Sequence, residues 1–356
     1  MKKLKKIMKV LVAVLAAITI IFGILALLPS RTPQIKMDGK VVPNSIAELR
    51  KVEIGGIDQT LLIRGHNKNN PVILFLHGGP GQGEVGFMRG YQKALEEKFV
   101  VVRWDQRGAG ASYSKDVPKE SFTIEQLLKD TDEVTDYLRE QFNQPQIFIS
   151  GHSWGTVLGT LAAKSHPEKY LAYISVGQVV NMKENEKLSY QFAWTKAREA
   201  NDEEAIKQLE QIELTYTSDN MMSYRKYVDK FGGVIQTKPE KGIASSLLLS
   251  PEYRLSEKQN FQKRTLDVGR LMIPEIMNIN FMEEVKGLEV PTYFIIGKHD
   301  YTSVYPLVEE FYEQLEAPVK ELIVFDNSAH LPQLEENKKF NDTVIRIMEE
   351  VTGRGN

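Results

Sequence analysis

The chain opens with a sharp change from polar to apolar positions. Residues 1–9 carry five lysines, and residues 10–28 then run for nineteen positions without a charge. As a helix this run reaches about 28 Å, close to the roughly 30 Å hydrocarbon core of a bilayer. Cleaved signal peptides have apolar stretches of about 7–15 residues ending in a small-x-small site, and the stretch Ala26-Leu27-Leu28-Pro29-Ser30 offers no such pattern. The expectation is an uncleaved, single-pass signal anchor. Lys2, Lys3, Lys5, Lys6 and Lys9 precede it, while only Arg31, Lys36 and Lys40 follow closely. That asymmetry places the N-terminus in the cytoplasm and the rest of the chain outside the membrane.

Residues 29–50 read as a polar linker bearing Pro29, Pro33 and Pro43. Beyond it the pattern alternates between two periods. Val72–Leu76, Phe99–Arg103, Ile147–Ser150, Tyr173–Val176, Thr292–Ile296 and Leu322–Phe325 are short β-rich runs without polar alternation. Helical spacing occupies Ile124–Phe142, Val157–Ser165, Tyr305–Leu315 and Glu335–Val351. Continuous apolar strands separated by helices predict an α/β fold, with a mostly parallel sheet covered on both faces. The alternation breaks over residues 177–286, which are acidic and helix-prone and read as a helical cap. The core is then residues 51–176 and 287–356.

Composition narrows the function. The 356 residues are 42% apolar and 26% charged, which suits a large globular body. There is no cysteine, so disulfides, thiolate metal sites and a cysteine nucleophile are excluded. Setting aside the five N-terminal lysines leaves 40 basic against 47 acidic groups, a net charge of −7. Such a body has no electrostatic basis for holding nucleic acid.

The candidate chemistry lies at strand ends. Gly151-His152-Ser153-Trp154-Gly155 follows a strand and precedes a helix, the context in which G-x-S-x-G exposes a serine nucleophile on a tight turn. A hydroxyl needs a base, and of six histidines His330 follows the last core strand. Asp300, after Thr292–Ile296, is the leading acid, with Asp326 as runner-up. The order Ser153, Asp300, His330 is that of α/β-hydrolases. His77-Gly78-Gly79-Pro80-Gly81 can supply an oxyanion donor, assigned to the Gly79 amide with Gly78 as alternative, alongside the Trp154 amide. This chemistry calls for no metal or organic cofactor.

Taken together, HGGPG (77–81), the stretch Trp104-Asp105-Gln106-Arg107-Gly108-Ala109-Gly110-Ala111-Ser112, GHSWG (151–155), Asp300 and His330 resemble the proline iminopeptidase family of α/β-hydrolase serine peptidases. The match runs from about Ile46 to Val351. The resemblance implies an α/β-hydrolase core with a helical cap and release of an N-terminal residue, proline or another small apolar one, from peptides. It also implies cap carboxylates that hold the substrate's free amine, for which Glu184, Glu186, Glu199 and Glu213 are candidates. Asp105 and Arg107 are expected to brace the glycine loops. The chain departs from the family in carrying His152 where the elbow often has glycine, and in having only Trp194 in the cap. An esterase, amidase or lactonase on the same scaffold is the alternative enzyme, and a ligand-binding protein without turnover the alternative class. The expected partners are a peptide or small acyl substrate and the membrane, and the sequence leaves the oligomeric state open.

Overall fold

Along residues 72–76 every side chain is buried, but alternate ones face opposite ways. Val72, Leu74 and Leu76 join one core with Leu127, Val134, Val157 and Leu158, while Ile73 and Phe75 join another with Leu95, Phe340, Val344 and Ile347. Burying each such side chain contributes about 1.5–3 kcal/mol, so a strand apolar at every position is held only where helices cover both faces.

The computed structural model describes residues 3, 7–9, 11–12, 14–16, 28–239 and 242–353. Its strands are β1 (Lys36–Met37), β2 (Lys40–Val41), β3 (Ile46–Ile54), β4 (Ile57–Gly65), β5 (Val72–Leu76), β6 (Val100–Asp105), β7 (Ile147–His152), β8 (Tyr170–Val176), β9 (Thr292–Gly297) and β10 (Lys320–Phe325). The main helices are α1 (Lys93–Lys98), α2 (Ile124–Gln141), α3 (Trp154–Ser165), α4 (Met182–Glu199), α5 (Glu203–Leu209), α6 (Ser218–Lys230), α7 (Ile243–Leu249), α8 (Leu255–Ile276), α9 (Phe281–Glu284), α10 (Tyr305–Gln314), α11 (Pro332–Glu335) and α12 (Asn337–Thr352). Eight strands form one sheet in the order β10-β9-β8-β7-β5-β6-β4-β3. The pairings from β10 through to β6 are parallel, and β4 and β3 add an antiparallel hairpin at the edge.

The six strands expected from the sequence are all present. The stretch expected as a linker is not one throughout. β3 begins at Ile46, inside it, and pairs with β4 over nine positions. Upstream, Ile35 is buried, the Arg31 amide donates to the Pro251 carbonyl at 2.9 Å, and Arg64 donates to the Pro33 carbonyl at 2.5 Å. Residues 31–35 are therefore fastened to the body. The apolar run 10–28 lies mostly outside the described residues, and among those described no helix is long and apolar enough to cross a membrane.

Between β8 and β9 the chain forms α4 through α9 and no strand among the described residues. The two ends of this insertion meet. Asn181 and Asn280 form an antiparallel bridge, with Met182 donating to Ile279 at 3.1 Å and Phe281 to Val180 at 2.8 Å.

Candidate active site

The turn from β7 into α3 is tight, and the sequence explains how it closes. A Cβ on Gly151 would sit 2.3 Å from the Gly155 carbonyl oxygen, and one on Gly155 would sit 2.1 Å from that of Leu76. Glycine at both positions lets the helix start against the neighbouring strand. Between them Ser153 adopts φ 53° and ψ −121°, a region costing a non-glycine residue on the order of 1–3 kcal/mol. The strain holds the serine at the head of α3, where its backbone amide donates to the Val176 carbonyl of β8 at 2.9 Å.

Asp300 and His330 come from the loops after β9 and β10, strands adjacent in the sheet. His330 Nδ1 lies 2.8 Å from Asp300 Oδ2, and Asp300 is fully buried. The other carboxylate oxygen, Oδ1, accepts from the amides of Thr302 and Ser303, each at 2.8 Å, which fixes the acid's orientation. The carboxylate accepts, so Nδ1 carries the proton and Nε2 is left with a lone pair. Gly177, at φ 61°, leaves room for this pair: a Cβ there would meet His330 Nδ1 at 3.2 Å and Asp300 Oδ2 at 3.4 Å. Asp326 is elsewhere, 3.5 Å from Lys298 at the exposed surface.

His152 ties the elbow to the His330 loop. Its Nε2 donates to the His330 carbonyl at 2.9 Å, and the two rings lie 4.8 Å apart. Burial, and secondarily the charge His330 would carry, push the His152 pKa down to about 4, so its ring stays neutral.

The glycine loop closes over the same place. A Cβ on Gly78 would lie 3.3 Å from Ser153 Cβ, and Gly79 and Trp154 line one cavity with Ser153. Neither the Gly79 nor the Trp154 amide has a hydrogen-bond partner among the described residues. Two residues that the sequence singled out only as parts of motifs set this geometry. His77 Nδ1 donates to the Gly78 carbonyl at 2.7 Å, and its Nε2 accepts from the Gln106 amide at 3.0 Å. Gln106 then donates through Nε2 to the His77 carbonyl at 3.1 Å and accepts the Trp154 indole N–H at 3.0 Å. One glutamine thus joins all three motifs. Burial lowers the His77 pKa, in keeping with a neutral ring that both donates and accepts.

The bracing expected of Asp105 is present, whereas Arg107 acts elsewhere. Asp105, whose pKa burial raises, accepts from the amides of Val85 (3.1 Å) and Ala111 (2.8 Å) and from the Tyr253 hydroxyl (2.7 Å). Arg107 turns away from the glycine loop and grips Asp130 of α2 through two bonds, at 2.8 and 2.9 Å, with the Gly55 carbonyl at 2.9 Å.

The cavity beside Ser153 measures about 40 Å³ and is lined mainly by Val157, Val179, Met182, Met221, Ile273 and Ile276. The glutamates expected to meet a substrate amine are not free in it. Glu184 is half-buried and pairs with Lys187 at 3.1 Å, Glu199 pairs with Lys196 at 2.7 Å, and Glu213 is an exposed residue near the start of α6. Glu186 is fully buried and bound to Arg225, Tyr224 and Asn185. Arg225, which the sequence did not mark, lines the cavity. No group of three or more His, Asp or Glu side chains among the described residues is arranged to hold a metal ion.

Comparison with known proteins agrees with this architecture. The family described as alpha/beta hydrolase fold matches residues 71–337. A probable aminopeptidase of Bacillus subtilis (strain 168), YbaC, is 34% identical over 310 residues, covering 85% of this chain and 96% of its own. A probable proline iminopeptidase of Leptolyngbya boryana is 26% identical over 74% of this chain and 82% of its own. Among solved structures, a proline iminopeptidase of Mycobacterium smegmatis superposes with a TM-score of 0.63 at 18% identity, covering 87% of this chain and 100% of that one.

Proposed function

The chain belongs to the alpha/beta-hydrolase family and resembles its proline iminopeptidases, and from that premise we propose that it is a serine hydrolase releasing the N-terminal residue of a peptide through an acyl-enzyme. The observation that carries the reading is the His330–Asp300 bond of 2.8 Å, which leaves Nε2 with a free lone pair on a loop that His152 ties to the strained turn of Ser153. His330 Nε2 takes the Ser153 proton as Oγ attacks the scissile carbonyl. The unpartnered amides of Gly79 and Trp154 receive the oxyanion, each such donor being worth about 3–4 kcal/mol of barrier. Asp300 stabilises the imidazolium, which protonates the departing amine. Water, activated by the same histidine, then hydrolyses the ester on Ser153. Residues 10–28 serve in this reading as the membrane anchor, on the strength of their sequence.

A second reading, an amidase or esterase without need of a free amine, is favoured by Glu186, whose oxygens are already engaged inside the protein. One panel separates the two. Proline, alanine and leucine arylamides, their N-blocked forms and short acyl esters are compared, with Ser153→Ala as control. Turnover of free-amine amides but not blocked ones supports the peptidase; ester or blocked-amide turnover supports the second reading. Ser153→Ala is expected to lower kcat by at least about 10³-fold on every substrate, and an unchanged kcat would remove serine catalysis altogether.

A further inference from the structure

Among the described residues lining the cavity beside Ser153, Arg225 is the only charged one. It enters from α6, and its side chain keeps about a third of its surface exposed (32%). Its partner Glu186, on α4, has none. The carboxylate of Glu186 has room for about four donors, and four are present. Oε1 accepts from Asn185 at 3.1 Å and from Arg225 Nη2; Oε2 accepts from the Tyr224 hydroxyl and from Arg225 Nε at 3.1 Å. A substrate ammonium therefore finds no free lone pair there.

The guanidinium has capacity to spare. Glu186 engages Nε and Nη2, and Nη1 has no hydrogen-bond partner among the described residues. The glutamate holds the fork rigid from behind, and its charge raises the arginine's pKa, so the cation persists across the working pH range. What the cavity offers a ligand is consequently a fixed donor bearing positive charge, in a wall otherwise made of apolar side chains and the neutral residues Gly79, Ser153, Trp154, Thr302 and Ser303. In such surroundings a charge-assisted bond to a carboxylate is the strong complement.

We infer that Arg225 is a specificity-determining residue that binds a carboxylate on the acyl portion of the substrate, so that the preferred acyl group is short and acidic. The inference rests on the serine-hydrolase reading above, but not on the requirement for a free amine. No new covalent step is involved: the acyl group passes to Ser153 and then to water as already written, with its carboxylate held at Nη1. The small cavity, with room for about three water molecules, favours a chain of few carbons.

The test compares N-succinyl and N-butyryl 4-nitroanilides, acyl groups of equal carbon number that differ in the terminal carboxylate, in the wild type, Arg225→Gln and Arg225→Lys. The wild type is expected to favour the succinyl compound at least tenfold in kcat/KM. Arg225→Gln is expected to abolish the preference, read as the succinyl-to-butyryl ratio of kcat/KM within each variant, and Arg225→Lys to restore part of it. Because catalysis itself can fail independently, succinate and butyrate binding to Ser153→Ala is also measured by calorimetry. Succinate binding that disappears in Ser153→Ala/Arg225→Gln supports the inference even without turnover. Serine-dependent hydrolysis of butyryl or proline substrates with no carboxylate preference, or succinate binding unaltered by Arg225→Gln, overturns it while leaving the serine-hydrolase reading intact.

Discussion

His152 sits in the elbow next to Ser153 yet is held neutral, its pKa pushed down to about 4 by burial and by the neighbouring His330. A histidine whose folded pKa is depressed binds fewer protons folded than unfolded. Its contribution is complete above the unfolded value of about 6.5 and is lost as pH falls from there toward 4, by about 3 kcal/mol in all. His77 shifts in the same direction through burial. Thermal melts of His152→Gln between pH 7 and 4 are expected to show a shallower fall in Tm than the wild type, because the amide still donates to the His330 carbonyl without titrating. Parallel curves for the two proteins would show that His152 is not the group that titrates.

At the scale of elements, the structure turns on contacts that join segments distant in the sequence. Arg107, at the end of β6, holds α2 through Asp130 and the β3–β4 turn through the Gly55 carbonyl, and both charged side chains are almost wholly buried. Asp130→Ala leaves a buried guanidinium uncompensated, at an expected cost of about 3–5 kcal/mol in urea unfolding. A loss below about 1 kcal/mol would mean that the Gly55 carbonyl and the Ser121 hydroxyl, 3.4 Å from Arg107 Nη1, suffice to satisfy it. The same contrast explains what the sequence disclosed. Strands such as Val72–Leu76 are apolar at every position because both their faces are covered, and they are legible without coordinates. β3 and β4 form the hairpin at the sheet edge, and β3 (IAELRKVEI) mixes polar and apolar residues under partial burial, so its first five residues read as linker. Serine, aspartate and histidine were legible because each follows a recognisable strand. The state of Glu186 was not, since a carboxylate's compensation depends on Arg225, 39 positions further along.

Taken as a whole, the molecule joins a lysine-rich, apolar N-terminus to an acidic body. Of the apolar run, the described side chains of Leu11, Val12 and Val14 are 49–61% exposed. If the run is an anchor, the full-length protein is expected to stay in the membrane pellet after alkaline carbonate and to enter solution only with detergent. Release by carbonate alone would overturn the anchor. Ser153, Asp300 and His330 follow strands of the sheet, whereas the chemical character of the cavity comes largely from α4, α6 and α8, through Met182, Met221, Arg225, Ile273 and Ile276.

Those helices leave the sheet and return to it at one point, the Asn181–Asn280 bridge with its two flanking backbone bonds. A segment of about a hundred residues whose ends are clasped side by side is interchangeable in principle. Lineages, or engineers, can trade the whole roof for another through two splice points without re-registering a single strand. The taste of the enzyme can thus drift far faster than its chemistry.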